Sequence, residues 1–307
     1  KVGIFADGTW GLNLIKILNF DKNFKIKFVV LRNKIDFNIF NFCKKKKINN
    51  FNFKNINNKK SIEILKKFKT DIFVSMSYNQ IFKSNFLNKF KIKIINCHAG
   101  ALPYYRGRSP INWAIINGEK KIGITTHLIN SQIDKGDILD QQFIKMQKSD
   151  NYKTILEKCY TICSLQLYRV LKKIKNQKIK SIKQLSISKK GSYFFKRKRG
   201  DEIINFNNNF KNLNNFIRGL VFPAVGGTFF YKRKSYAVIN SILSKKINKI
   251  NDTKNGTILS VTKNNLNIKI HNSIIILRKI YLKKNKACIK DLRKIFKKNS
   301  LLIGTNV

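Results

Sequence analysis

The sequence predicts an α/β protein: a Rossmann-like, doubly wound, mostly parallel sheet followed by a small OB-like β-barrel. Three observations predict it. Short apolar runs alternate with helical periodicity through residues 1–97, the mark of strands joined by helical crossovers. A long apolar-faced helix follows at 151–178. Beyond about residue 188 the pattern changes to short β-like runs divided by turn residues such as Asn255-Gly256 and Asn264-Asn265.

Residues 1–6 form an apolar run that ends at Asp7-Gly8, and it reads as a strand rather than the apolar region of a signal peptide. Residues 9–18 place Leu12, Ile15 and Leu18 on one helical face. Residues 25–31 are a second strand. Residues 59–68 are helical, with Ile62, Leu65 and Phe68 apolar and Ser61 as the candidate cap. Residues 71–76 are a third strand, 82–90 a short helix, and 92–97 a fourth strand. The lysine run 44–47 and the Asn-rich stretch 49–58 read as a mobile loop. In the second half, 207–220 is helical, and 226–231, 235–243, 256–261, 266–270 and 273–280 are strands. Five short strands suit a small closed barrel. The expected domains are 1–188 and 189–307.

With 307 residues and 43% hydrophobic content the chain can bury two cores. Cys43, Cys97, Cys159, Cys163 and Cys288 are scattered, and no second pair completes a zinc pattern; buried free thiols are expected, with no metal. No apolar run reaches the roughly 18 residues that a membrane span requires, so no membrane insertion and a cytoplasmic setting are expected. The net charge of +49 points at first to nucleic acid. Only ten of the 64 basic residues are Arg, however, and the abundant Lys, Asn, Ile, Phe and Tyr are the residues of A- and T-rich codons. The charge therefore favours an anionic substrate only modestly.

The chemistry concentrates in 95–115. Asn96 and His98 alternate across Cys97, so both can point the same way from a strand end. Ligands of doubly wound sheets sit beyond such ends. An amide beside an imidazole suits acyl transfer, because the amide can bind a developing oxyanion and the imidazole can shuttle a proton. A carboxylate arriving later in the chain can orient the imidazole, and Asp134 and Asp137 both follow in 134–139. Arg106 and Arg108 follow on a glycine-containing loop, where they can hold phosphate or tie the loop down. His127 sits in an alternating strand and suits a pocket or a core. Trp113 reads as helix packing and His271 as an ordinary barrel residue. Asp7-Gly8-Thr9-Trp10 is not a dinucleotide fingerprint.

The order Asn96-x-His98, Leu102-Pro103, Arg106-Gly107, Asp134-x-Gly136 resembles the signature of enzymes that use N10-formyltetrahydrofolate. The tail resembles their C-terminal domain at 216–220, Pro223, 226–229 and 256–258. The family often has Ser-Leu-Leu-Pro after the histidine, where this chain has Ala99-Gly100-Ala101-Leu102-Pro103, and Gln132 stands where glycine is usual. The resemblance implies the formyltransferase fold and catalysis by Asn96, His98 and Asp134. It places the folate near Met76, Tyr78, Ile81 and Gln132 and the acceptor near Arg106, Arg108 and His127. Residues 106–113, Thr126-His127 and 7–10 resemble the nucleotide-sugar N-formyltransferases, such as the UDP-4-amino-4-deoxy-L-arabinose type. An amino-sugar nucleotide is thus the expected acceptor, with initiator methionyl-tRNA as the alternative and a non-catalytic RNA-binding protein third. A homodimer is compatible with this reading.

Overall fold

The computed structural model describes residues 1–32, 34–243, 253–271 and 273–304. The chain divides into two compact units. The first comprises Lys1–Pro110, Lys121–Lys145 and Glu157–Phe194; the second comprises Ile111–Lys120, Met146–Leu156 and Phe195–Val307.

The elements run in chain order as β1 Val2–Ala6, α1 Gly8–Phe20, β2 Ile26–Leu31, α2 Phe37–Lys45, β3 Asn50–Asn52, α3 Lys59–Lys66, β4 Ile72–Met76 and α4 Ser84–Phe90. There follow β5 Ile94–His98, β6 Arg106–Gly107, α5 Pro110–Ile116, β7 Lys121–Leu128, β8 Ile138–Lys145, α6 Tyr152–Lys175, α7 Gln184–Ile187 and β9 Tyr193–Phe194. The first unit is built on a seven-stranded sheet of order β3-β2-β1-β4-β5-β7-β8. Strands β1 to β5 pair in parallel, whereas β7 pairs antiparallel with both β5 and β8. β1 and β4 are buried along their whole length, which explains why they are apolar but for Ser75 in β4: a parallel strand covered on both faces has no solvent side to alternate toward. The strand order reverses between β1 and β4, the place where such sheets open a crevice. One core cluster joins Phe5, Phe28, Phe73, Phe82 and Phe86, with edge-on ring contacts among them.

Two expectations need correction here. The lysine run is only partly a loop: Lys44 and Lys45 form the last turn of α2, and Lys46 and Lys47 lie in the turn after it. Asp36 caps that helix by accepting from the Asn38 and Ile39 amides, Ile39 and Cys43 bury one face, and lysines in a last turn suit the helix dipole. Part of the Asn-rich stretch is edge strand β3, in parallel register with Val29–Leu31 of β2. The cap of α3 is Asn58, whose side chain accepts from the Ser61 amide; Ser61 itself lies inside the helix, its hydroxyl donating to the Asn55 carbonyl.

In the second unit α8 Phe210–Gly219 precedes β10 Gly227–Tyr231, β11 Lys234–Leu243, β12 Ile258–Val261, β13 Asn265–Ile270, β14 Ser273–Leu282 and the short β15 Ala287–Cys288. The antiparallel sheet has the order β10-β11-β14-β13-β12. A segment near the C-terminus joins its two edges, because Leu301 bridges to Thr257 beside β12 and Ile303 bridges to Phe230 in β10. Phe229, Val238, Leu266, Ile268, Ile275 and Leu277 fill the interior. Each such side chain contributes about 1.5–3 kcal/mol on leaving water.

Candidate active site

β5 ends in Asn96-Cys97-His98 at the carboxyl edge of the parallel strands. Alternation sends Cys97 to the opposite face, where it meets Cys163 of α6. Burial first, and then the sulfurs of Cys159 and Cys97, push the Cys163 thiol well above its ordinary value. β7 runs beside β5 in the antiparallel sense and sets His127 directly opposite Asn96. The Asn96 amide nitrogen lies 3.1 Å from His127 Nε2. His127 Nδ1 lies 2.8 Å from the Leu128 carbonyl, which can only accept. Nδ1 therefore carries a proton, and in the neutral ring Nε2 accepts from the Asn96 amide.

The connection from β7 to β8 carries Asp134 in a left-handed backbone conformation at φ 52°, which Asp tolerates better than most residues. Asp134 Oδ2 accepts from the Gly107 amide at 2.8 Å and stands 3.6 Å from His98 Nδ1, while Oδ1 stands 3.6 Å from His127 Nε2. One carboxylate thus faces both imidazoles. Burial works to raise its pKa. Charge on the His98 and His127 rings, with the Gly107 N–H, outweighs burial and holds the carboxyl well below the usual carboxylate range.

The other side of His98 is fixed by a loop. His98 Nε2 donates to the Tyr105 carbonyl at 2.7 Å. A Cβ on Gly100 would lie 2.5 Å from His98 Nε2 and 2.8 Å from the Tyr105 oxygen. Glycine at 100, one of the departures from the family pattern, is thus what leaves room for the imidazole. Thr125 anchors the same turn by donating to the Gly100 carbonyl and accepting from the Leu102 amide.

β6 pairs with β9 in parallel, and the Tyr105 and Phe194 rings stack at 5.0 Å. Arg106 is buried, and its Nε and Nη2 donate to Gln184 Oε1 at 3.0 and 2.8 Å. Such bonds are those of a side chain that ties the loop down. Arg108 is exposed. Gln184 had no signal in the sequence beyond being a lone amide in a lysine-rich stretch.

Of the residues associated with folate, Met76 is wholly buried in the core and Tyr78 packs against Phe5 and Phe82. Ile81 and Gln132 are exposed. Tyr78 Oη and Asn79 Oδ1 are buried and without a hydrogen-bond partner among the described residues. Trp113 and His271 lie in the second unit, the former under the Arg197 guanidinium at 5.7 Å, the latter exposed in the turn after β13. Among the described residues no three His, Cys, Asp or Glu side chains gather as a metal site, and no helix is long and apolar enough to cross a membrane.

The Formyl transferase family profile matches residues 25–171, and the Formyl transferase, C-terminal domain profile matches residues 196–297. The methionyl-tRNA formyltransferase of Finegoldia magna is 31% identical over 233 residues, covering 76% of this chain and 73% of the relative. The chain belongs to the formyl transferase family. Membership carries with it the family's reaction, formyl transfer with N10-formyltetrahydrofolate as donor. The bifunctional polymyxin resistance protein ArnA of Wigglesworthia glossinidia brevipalpis is 35% identical over 280 residues, or 85% of this chain, which spans 42% of that longer relative. Among solved structures, the N-formyltransferase of Helicobacter canadensis in complex with folinic acid and dTDP-3-aminofucose superposes with a TM-score of 0.71 at 22% identity, over 91% of this formyltransferase and 98% of that chain. WlaRD, a sugar 3N-formyl transferase, superposes with a TM-score of 0.68 at 22% identity, over 91% and 97%. At such identities the two likenesses speak for the fold.

Proposed function

We propose that this formyltransferase modifies the primary amine of a nucleotide-linked amino sugar, using Asn96, His98 and Asp134. The observation that carries the chemistry is the Asp134 carboxylate, 3.6 Å from both His98 Nδ1 and His127 Nε2, beside the Asn96 amide. The acceptor amine attacks the formyl carbon of the folate, and a new C–N bond forms as the carbonyl becomes an oxyanion. One N–H of the Asn96 amide serves His127, which leaves the other for that oxyanion. His98, its Nδ1–H held by Asp134, leaves the Tyr105 carbonyl and gives its Nε2 proton to N10 as the bond from carbon to N10 breaks; Nε2 then takes the proton that the attacking amine loses. The donor's flat, polar-edged pterin needs apolar walls and hydrogen-bonding groups. The exposed Ile81 and Ile133 suit it, as do Tyr78 Oη and Asn79 Oδ1, which have no hydrogen-bond partner among the described residues.

For the acceptor, the sugar reading rests on the resemblance of residues 106–113 and of His127 to the nucleotide-sugar enzymes. With Arg106 engaged by Gln184, Arg108 is the arginine of that loop left to meet a diphosphate. One observation favours the second reading, initiator methionyl-tRNA: several relatives over 69–83% of this chain carry that enzyme's name, at 28–31% identity. The deciding experiment supplies N10-formyltetrahydrofolate with a panel of amino-sugar nucleotides or with charged initiator tRNA. Formylation of a sugar nucleotide and not of the tRNA is expected; the reverse result replaces the sugar reading with the second one. A reducing, cytoplasmic setting suits the buried Cys43, Cys97, Cys159 and Cys163 thiols in either case.

A further inference from the structure

We propose that Gln184 is a positioning residue that sets the distance between His98 and Asp134 by joining the two loops that hold them. The inference rests on the formyl-transfer reading of the Asn96–His98–Asp134 site.

The Gln184 side chain is 3% exposed, and every hydrogen-bonding position on its amide is taken. Oε1 accepts twice from Arg106, from Nε at 3.0 Å and Nη2 at 2.8 Å. Nε2 donates twice, to the Asp134 carbonyl at 2.7 Å and to the Gly136 carbonyl at 2.8 Å. The orientation is forced, because a flipped amide would set NH2 against guanidinium N–H and oxygen against two carbonyls.

The two segments so joined are the ones that hold the reacting groups. The loop of Arg106 contributes the Tyr105 carbonyl, which accepts from His98 Nε2, and the Gly107 amide, which donates to Asp134 Oδ2. The turn on the other side places Asp134 at φ 52°, and Gly136 is pressed so close to Leu128 that a Cβ would lie 1.8 Å from its carbonyl oxygen. A left-handed residue in a connection persists only where its surroundings hold it. Gln184 holds this one through the Asp134 and Gly136 carbonyls. Residues 188–192 complete the clamp: Ser192 accepts from the Tyr105 amide through its hydroxyl and from the Arg106 amide through its carbonyl. Gln184 touches no reacting atom. It acts through Arg106 and Asp134, as outer partners do for metal ligands and triads.

The test compares full-length wild type with Gln184→Met, which keeps length without hydrogen bonds, and Gln184→Glu, which keeps the acceptor for Arg106 but loses the donors. With the acceptor that wild type uses, Q184M is expected to lose about 10–100-fold in kcat while KM for the formyl donor stays within about threefold. Q184E is expected to lose activity at neutral pH. Its ratio to wild type should rise as pH falls, because a protonated carboxyl regains one donor. In hydrogen exchange, peptides covering 103–108 and 132–137 should lose protection together in Q184M. A folded Q184M with kcat within about twofold of wild type overturns the proposal. So does unchanged exchange in both segments. If Q184M does not fold, Q184E carries the test, and a wild-type kcat or a pH-independent ratio overturns it. Wild type that formylates no acceptor sinks the reading of the site instead, and the exchange result still decides the linkage.

Discussion

Asn96 and His127, paired across β5 and β7, meet amide to imidazole at 3.1 Å. The Leu128 carbonyl takes the proton of His127 Nδ1 and so fixes which nitrogen faces Asn96. His127 is 2% exposed, so the Asn96 amide owes its orientation to a histidine that substrate scarcely reaches. In the sequence this residue suits a pocket or a core. Its position supports a third role, that of holding the amide aimed at the oxyanion.

Replacing His127 should therefore damage catalysis more than binding. His127→Ala leaves an Asn96 N–H without its acceptor and Asp134 without one of its two rings. We expect kcat to fall about 10–100-fold, with KM for the formyl donor little changed. Steady-state kinetics check this. A rise in KM with kcat intact would instead make His127 a substrate-binding residue.

Asp134→Asn keeps the shape of the side chain and removes its charge. Loss of the group that orients His98 should lower kcat by about 10²–10⁴-fold, the range that general acid–base assistance supplies. The folded carboxyl is held below its ordinary value, so its ionisation stabilises the fold above the unfolded pKa of about 3.9, and this contribution fades as pH falls through the folded value. Wild type should accordingly exceed D134N in urea stability at pH 7, and the gap should narrow below about pH 4. A gap that widens in acid would contradict the assigned direction.

The legible parts of this chain were those written in periodicity. β1, β2, β4 and β5 are apolar runs, and α6 is a helical face of 24 residues, so each announces itself locally. β3 is three residues of an edge strand between asparagines, and its existence depends on β2 offering a free edge. α2 was obscured because the lysines that suit its last turn look, in one dimension, like a solvated loop. The barrel's closing segment makes isolated bridges at Leu301 and Ile303 and has no alternation to read. Asn96 and His98 stood out because an amide beside an imidazole suggests a reaction, and Asp134 was reached only through the resemblance. Gln184 did not stand out, since an amide 50 residues beyond Asp134 acquires meaning only once the chain folds back on it.

Gly100 offers a steric test of the same site. Gly100→Ala places a methyl group 2.5 Å from His98 Nε2 and 2.8 Å from the Tyr105 oxygen, so the ring or the loop must move. Overpacking of this kind costs about 1–3 kcal/mol. A shift of about 1 Å in a reacting group can cost about 10²-fold in rate. Thermal unfolding should show a modest loss of stability and kinetics a much larger loss of kcat. If both are unchanged, the space beneath His98 is not limiting and the glycine needs another explanation.

The last prediction concerns the basic end of α2 and separates the two acceptors. Lys44 and Lys45 lie in its last turn, with Lys46 at the cap and Lys47 beyond it, all exposed. Changing the four to Gln removes favourable charge from a helix C-terminus, at a cost of about 0.3–1 kcal/mol for each well-placed lysine. The protein should still fold, because Ile39 and Cys43 bury the other face and Asp36 keeps its cap. A sugar nucleotide presents one diphosphate, which a single arginine such as Arg108 can meet. Its formylation should survive the four substitutions and fall only modestly with added salt. A tRNA acceptor presents a line of phosphates, and each phosphate that the protein ceases to neutralise reduces the slope of log affinity against log salt by about 0.7–0.9. Measuring kcat/KM from low to physiological salt for wild type and the four-lysine variant gives both slopes. Parallel shallow slopes agree with the sugar reading. A steep wild-type slope that flattens by about two or more in the variant would assign these lysines to the phosphates and the acceptor to tRNA.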